Sequence, residues 1–98
     1  MNDYIFLMHN DSRDAGEAGS DWDAYLARLR KSGRFFGGSV IGAGVCVSKP
    51  DNATGTTPLS RYIRVQASSI EEAKKLLEGN PVFEAGGTVE IRALIPNG

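Results

Sequence analysis

Tyr4-Ile5-Phe6-Leu7-Met8-His9 is the stretch that decides the fold. Successive side chains of a strand point to opposite faces. Here both alternating sets are apolar: Ile5 and Leu7 on one side, Tyr4, Phe6 and Met8 on the other. Bounded by polar turn formers, the run predicts a strand buried on both faces.

The flanking sequence supplies the partners. Asn10 to Gly19 is polar and glycine-containing and reads as a surface loop. Ser20 has the chemistry of a helix N-cap, and Asp21 and Asp23 suit the positive first turn. Trp22, Tyr25, Leu26 and Leu29 then recur at helical spacing, Arg28, Arg30 and Lys31 favour the negative end, and Gly33 stops the helix. Ile41, Ala43, Val45 and Val47 alternate with Gly42, Gly44 and Cys46, which predicts a strand from about Ser39 to Val47. Lys49 to Pro58 is a turn cluster, and Tyr62 to Ala67 alternates as a third strand. Ser69-Ile70-Glu71-Glu72 is a capping box opening a helix that would bury Ile70, Ala73, Leu76 and Leu77 and stop at Gly79. Thr88 to Leu94 closes the chain as a strand. The order βαββαβ is the ferredoxin-like α+β arrangement: a four-stranded antiparallel sheet with two helices on one face.

That order leaves one face of the sheet without helices. A central strand apolar on both sides therefore predicts that something outside the chain covers the open face, and a second copy packed sheet to sheet is the expected partner. The chain of 98 residues forms one domain, residues 1–98, with too little length for a second core. No window approaches the ~20 apolar residues of a membrane span, and the first residues do not read as a secretory signal. Eleven basic against twelve acidic residues leave a net charge of -1, with no basic stripe for nucleic acid. A single cysteine excludes an intrachain disulfide and a cysteine metal cage, and suits the cytoplasm.

The chain resembles the YCII-related domain proteins, including the branch named for a DGPF motif, in the dimeric α+β barrel superfamily. The likeness lies in the first strand ending at Met8-His9-Asn10-Asp11, in Trp22-Asp23-Ala24-Tyr25-Leu26-Ala27-Arg28-Leu29, and in the glycine-rich Gly37-Gly38. It continues through Ala73-Lys74-Lys75-Leu76-Leu77, Asn80-Pro81-Val82-Phe83-Glu84-Ala85-Gly86 and Val89-Glu90-Ile91-Arg92-Ala93-Leu94. The resemblance implies a homodimer. It also brings departures: Tyr25 stands where the YciI-like branch has a first-helix histidine proposed to act with an aspartate, Asn52 to Pro58 replaces the Asp-Gly-Pro-Phe motif, and Asn80 replaces an aspartate before proline.

Read from the residues, His9 is the sole histidine, which excludes the usual set of two or three imidazoles on a metal within one chain. With Asp11 beside it, His9 is the candidate general base; the alternative is a solvated strand-end histidine. Tyr62, Arg64 and Arg92 project from one predicted sheet face and could hold an anionic ligand, with a cross-strand pair between Arg64 and Glu90 as the structural alternative. Tyr25 completes the candidate ligand set but also fits the core, and Cys46 reads as a buried, inert thiol. Gly42-Ala43-Gly44 lacks the third glycine and the strand–helix context of a dinucleotide fingerprint, so no cofactor is expected.

The expectation is a homodimer with a pocket for a small organic acid or another small molecule, on the sheet or at the dimer interface. The alternatives are a cofactor-free lyase or isomerase using His9 as base, and a non-catalytic interaction module.

Overall fold

The computed structural model describes residues 1–11, 19–49 and 55–96. It contains β1 (Asn2–His9), α1 (Gly19–Lys31), β2 (Phe35–Val40), β3 (Leu59–Ala67), α2 (Ile70–Lys75), α3 (Pro81–Glu84) and β4 (Val89–Leu94). The strands form one antiparallel sheet in the order β2-β3-β1-β4, the ferredoxin-like topology. β1 and β3 are central, as the apolar character of β1 requires. The side chain of Ser20, the expected N-cap, and residues 50–54 of the expected turn cluster lie outside the described residues.

The helices take the Tyr4, Phe6 and Met8 side of β1. These three, with Ile63, Val65 and Ala67 of β3, are buried beneath Trp22, Tyr25 and Leu29 of α1, Ala73 of α2, Leu77 and Val82. Register explains the choice: Phe6 sits between Ile63 and Ile91, and Tyr4 between Val65 and Ala93, so one face of three adjacent strands is apolar along these rows, and Arg61 opposite Met8 lies over the Trp22 ring. Ile5 and Leu7 remain on the helix-free face and are half-buried.

The capping box forms with one shift. Ser69 Oγ accepts from the Glu72 N–H at 3.2 Å, whereas the Glu72 carboxylate reaches one residue further back, to the Ser68 N–H and hydroxyl. Those two bonds, ahead of Arg34, hold the Glu72 carboxyl below its ordinary range. α2 itself is short, tightening after Lys75 into turns such as Leu77 N–H to Lys74 O. Ile70 is exposed, contrary to expectation, while Ala73 and Leu77 are buried.

Two further differences matter. A third helix, α3, follows at once: Asn80 is its N-cap, accepting from the Val82 and Phe83 N–H groups, and Pro81 occupies the first turn, where its missing N–H costs nothing. Gly79 joins α2 to α3 with φ +81°, and a side chain there would collide with the Arg28 guanidinium. The second strand is also displaced from its expected Ser39–Val47 span. It runs Phe35–Val40, with an irregularity between Phe35 and Gly38, and its ladder ends at Val40 opposite Arg61. One bond follows, Ile41 N–H to Ser60 O. The alternation of residues 41–47 is real, but two of the three residues on one side of it, Gly42 and Gly44, have no side chain to pack, and Pro58 on the returning chain has no N–H to give a ladder. Gly38 is where the sheet needs a glycine, because a Cβ there would meet the Tyr62 carbonyl oxygen at 2.5 Å.

Candidate functional site on the open sheet face

The odd-numbered residues of β1 face away from the helices, and the register lays their neighbours out in rows. Leu7 lies between Tyr62 and Glu90, Ile5 between Arg64 and Arg92, and Asp3 between Gln66 and Leu94. His9 sits at the end of β1, where the register with β3 shifts between Met8 and His9 and the His9 N–H donates to Thr88 O. Such an irregularity at a strand end re-aims a side chain.

His9 Nε2 lies 3.0 Å from Glu90 Oε1, and the other oxygen of Glu90 accepts from Arg92 Nη1 at 3.0 Å. The bonds from His9 and then Arg92 hold the Glu90 carboxyl below the usual carboxylate range. Asp11, the expected partner of His9, is bonded elsewhere: it accepts from the Thr88 N–H at 2.9 Å and the Thr88 hydroxyl at 2.7 Å, which lower its carboxyl in turn. The carboxylate bonded to His9 is thus the one four strand positions before the end of the last strand, and the sequence signal for it was its place in the same alternation as Arg92.

Arg64 and Glu90 do not pair. β1 runs between their strands, so Leu7 and Ile5 separate them by two strand spacings, about 10 Å. Arg64 is exposed, and no acid among the described residues forms an ion pair with it. His9, Tyr62, Arg64 and Arg92 therefore share one face, with Ile5 and Leu7 as an apolar floor between them.

Tyr25 is not in this group. It is buried under the opposite face, its hydroxyl donating to Leu76 O at 2.8 Å and its ring meeting Trp22 edge-on at 6.0 Å. Burial pushes its phenol up to about 12, against smaller lowering effects of Asn80 and Arg28, so it stays a neutral donor. Cys46 corrects the expectation of a buried thiol. It is exposed, because the strand expected to carry it inward ends at Val40; its Sγ lies 3.8 Å from Gly55 O beside a groove of about 530 Å³ lined by residues 41–46 and 56–59. Among the described residues, no group of three or more His, Cys, Asp or Glu could hold a metal ion, and no helix is long and apolar enough to cross a membrane.

The lowered carboxyls set an expected pH response. A depressed native pKa contributes stability above the unfolded value, about 3.9 for Asp, and that contribution is lost as pH falls through the lower folded value. Asp11→Asn is therefore expected to be less stable than the native chain at pH 6, with the difference narrowing as pH falls below the unfolded value, as read by urea melts. A difference that persists unchanged at pH 3 would show that the Asp11 charge is not what Thr88 holds.

What this geometry can do chemically is narrow. The apolar floor suits a ring or short hydrocarbon, the unpaired guanidinium of Arg64 suits a carboxylate or phenolate, and His9 is within reach of one end of the same strip. No protein-family model matches the sequence, and no curated protein matches it. The fold is similar to that of 5-chloro-2-hydroxyhydroquinone dehydrochlorinase (TftG) from Burkholderia phenoliruptrix AC1100, solved in complex with 2,5-dihydroxybenzoquinone. The TM-score is 0.61 at 15% sequence identity, over 95% of this chain and 93% of that one. That likeness shows the α+β fold across nearly the whole length of both chains.

Proposed function

We propose that this protein is a YCII-like homodimer in which the open faces of two sheets meet, and that a small organic acid binds on that face. The observation that carries the reading is the unpaired Arg64 across Ile5 from Arg92, on a helix-free face that also holds Tyr62 and the His9–Glu90 pair. A carboxylate or phenolate would lie against Arg64, its ring on Ile5 and Leu7, and Tyr62 would offer a hydroxyl. Covering the face with a second sheet would lower the local dielectric and strengthen those contacts.

A second reading is favoured by the His9–Glu90 contact alone. With Glu90 accepting from Nε2–H, the neutral imidazole carries its lone pair on Nδ1. Nδ1 of His9 would remove a proton from a ligand carbon, and the electrons released would expel a leaving group or shift a double bond. This is a cofactor-free lyase or isomerase step. Loss of hydrogen chloride, the reaction named for the fold neighbour, belongs to that class.

A thermal-shift panel of small aromatic acids tests both. A ligand at 100 times its dissociation constant stabilises by about 2.7 kcal/mol, which in a domain of this size raises Tm by roughly 10 °C or more. Arg64→Ala is expected to weaken the best acid at least tenfold, while His9→Ala retains binding and loses any turnover. A flat response across the panel would defeat the ligand reading and favour the interaction module.

A further inference from the structure

Arg61 is out of keeping with its row. It shares the helix-covered side of β3 with Ile63, Val65 and Ala67, all buried, and is itself half-buried. Its cross-strand partners, Met8 and Val40, are apolar, and among the described residues it forms no ion pair with a carboxylate. A charge drawn out of water is ordinarily paired. What holds Arg61 is the Trp22 ring, with the guanidinium carbon 4.1 Å from the ring centre.

A second arginine repeats the arrangement two turns along α1. Arg30 lies over the Phe35 ring at 5.0 Å, and it too forms no ion pair among the described residues. Leu26 and Ala27, one turn earlier on the helix, carry no charge to meet it. The negative C-terminal end of α1 accounts for a cation at Arg30, but not for Arg61 on a strand. Both arginines line one notch of about 80 Å³ between α1 and the sheet edge at β2, with Leu26, Phe35, Ser39 and Ile63 beside them.

A guanidinium laid flat on a ring keeps its N–H edges free for acceptors in its own plane, and a fork already held loses little freedom when an acceptor arrives. Two such forks on one notch repel each other until an anion lies between them. A carboxylate has two oxygens and satisfies one fork bidentately. A phosphate group has at least three and can accept from both. The notch holds the liquid volume of roughly three waters, room for one phosphate group but not for a nucleotide.

We infer that this notch binds a phosphate group, either the free ion or the group carried by a small ester, with Arg30 and Arg61 as its two forks. The site lies between α1 and β2 on the helix-covered side, apart from the open face on which the organic acid is proposed to bind. The two readings therefore stand or fall separately.

Trp22 is the sole tryptophan, so its fluorescence reports on the guanidinium lying over it. Inorganic phosphate titrated into the native chain, with sodium chloride holding the ionic strength constant, is expected to change that emission to saturation. Acetate is expected to bind at least tenfold more weakly. Arg30→Gln, at an exposed position, is expected to keep the native melt and raise the phosphate dissociation constant at least tenfold. Arg61→Gln is expected to do the same by calorimetry, which does not depend on the tryptophan signal. Phenyl phosphate distinguishes the sources: an affinity no better than that of inorganic phosphate identifies the free ion, and a tighter one identifies an ester. A response that does not saturate, or that saturates equally with acetate or in Arg30→Gln, would overturn the site. Loss of phosphate binding in Arg64→Ala would put the anion on the open face and overturn it as well.

Discussion

Phe6→Ala is expected to cost about 3–5 kcal/mol, the range for removing a buried aromatic ring. Phe6 is fully buried on the central strand, between Ile63 and Ile91 and under the helices. In a 98-residue domain each kcal/mol moves Tm by roughly 4–8 °C, so the variant should melt at least ~12 °C lower, if it folds at all. Leu7→Ala, one residue along and on the other face, is the control. It is expected to change the melt of the dilute monomer by well under half as much, since Leu7 is only half-buried there. Equal losses at the two positions, by calorimetry, would mean that the two faces of β1 are not distinguished as described.

Asn80→Ala is the second large effect. Asn80 is fully buried, and its Oδ1 accepts from Val82 N–H at 3.0 Å and Phe83 N–H at 3.1 Å, while its Nδ2 faces the Met8 sulfur at 3.9 Å. Alanine removes the cap and leaves two N–H groups short of a partner, that of Val82 in a buried setting and that of Phe83 in a partly buried one. The sum of a lost cap and an unsatisfied buried group is about 2–4 kcal/mol. Asn80→Asp keeps the acceptor but brings a charge to a buried position, so it should fall between the native chain and alanine in a urea melt at pH 7. An alanine variant within 0.5 kcal/mol of native would show that the α2–α3 corner is not held by this side chain.

The legible parts of the fold were those in which side-chain chemistry and period agree. β1 announced itself because both faces are apolar, α1 because Trp22, Tyr25 and Leu29 recur at helical spacing, and α2 because Ser69 and Glu72 form a capping box. The antiparallel four-stranded sheet followed from their order. β2 was misplaced because alternation alone does not make a ladder. Residues 41–47 alternate as well as any strand, but glycine offers nothing to pack and Pro58 no donor, so pairing ends at Val40. α3 was overlooked because Pro81 reads as a helix stop, although at the first turn it is equally a start.

The site was legible by face and illegible by pairing. Alternation in β3 and β4 put Tyr62, Arg64 and Arg92 on one side, and the structure brings them together with His9. Which acid meets His9 depends on register, and the register places Glu90 there while Thr88 takes Asp11. The same register explains why Arg64 has no acid opposite it: β1 intervenes, and Ile5 occupies the place between the two arginines. Tyr25 could not be assigned to a side from its residue type, because a tyrosine on an apolar helical face serves a core or a pocket equally well. Its bond to the Leu76 carbonyl settles it in the core.

The central claim is that the organic acid binds on the helix-free face of the sheet. Its most direct measurement is a nuclear magnetic resonance titration of the isotopically labelled native chain with benzoate, followed at backbone amides and arginine side chains. The account predicts that the shifts cluster on Ile5, Leu7, His9, Tyr62 and Arg92, with the largest change at the Arg64 guanidinium. Shifts confined to the helix side, around Tyr25, Arg28 and Leu76, or no shifts at all, would contradict it.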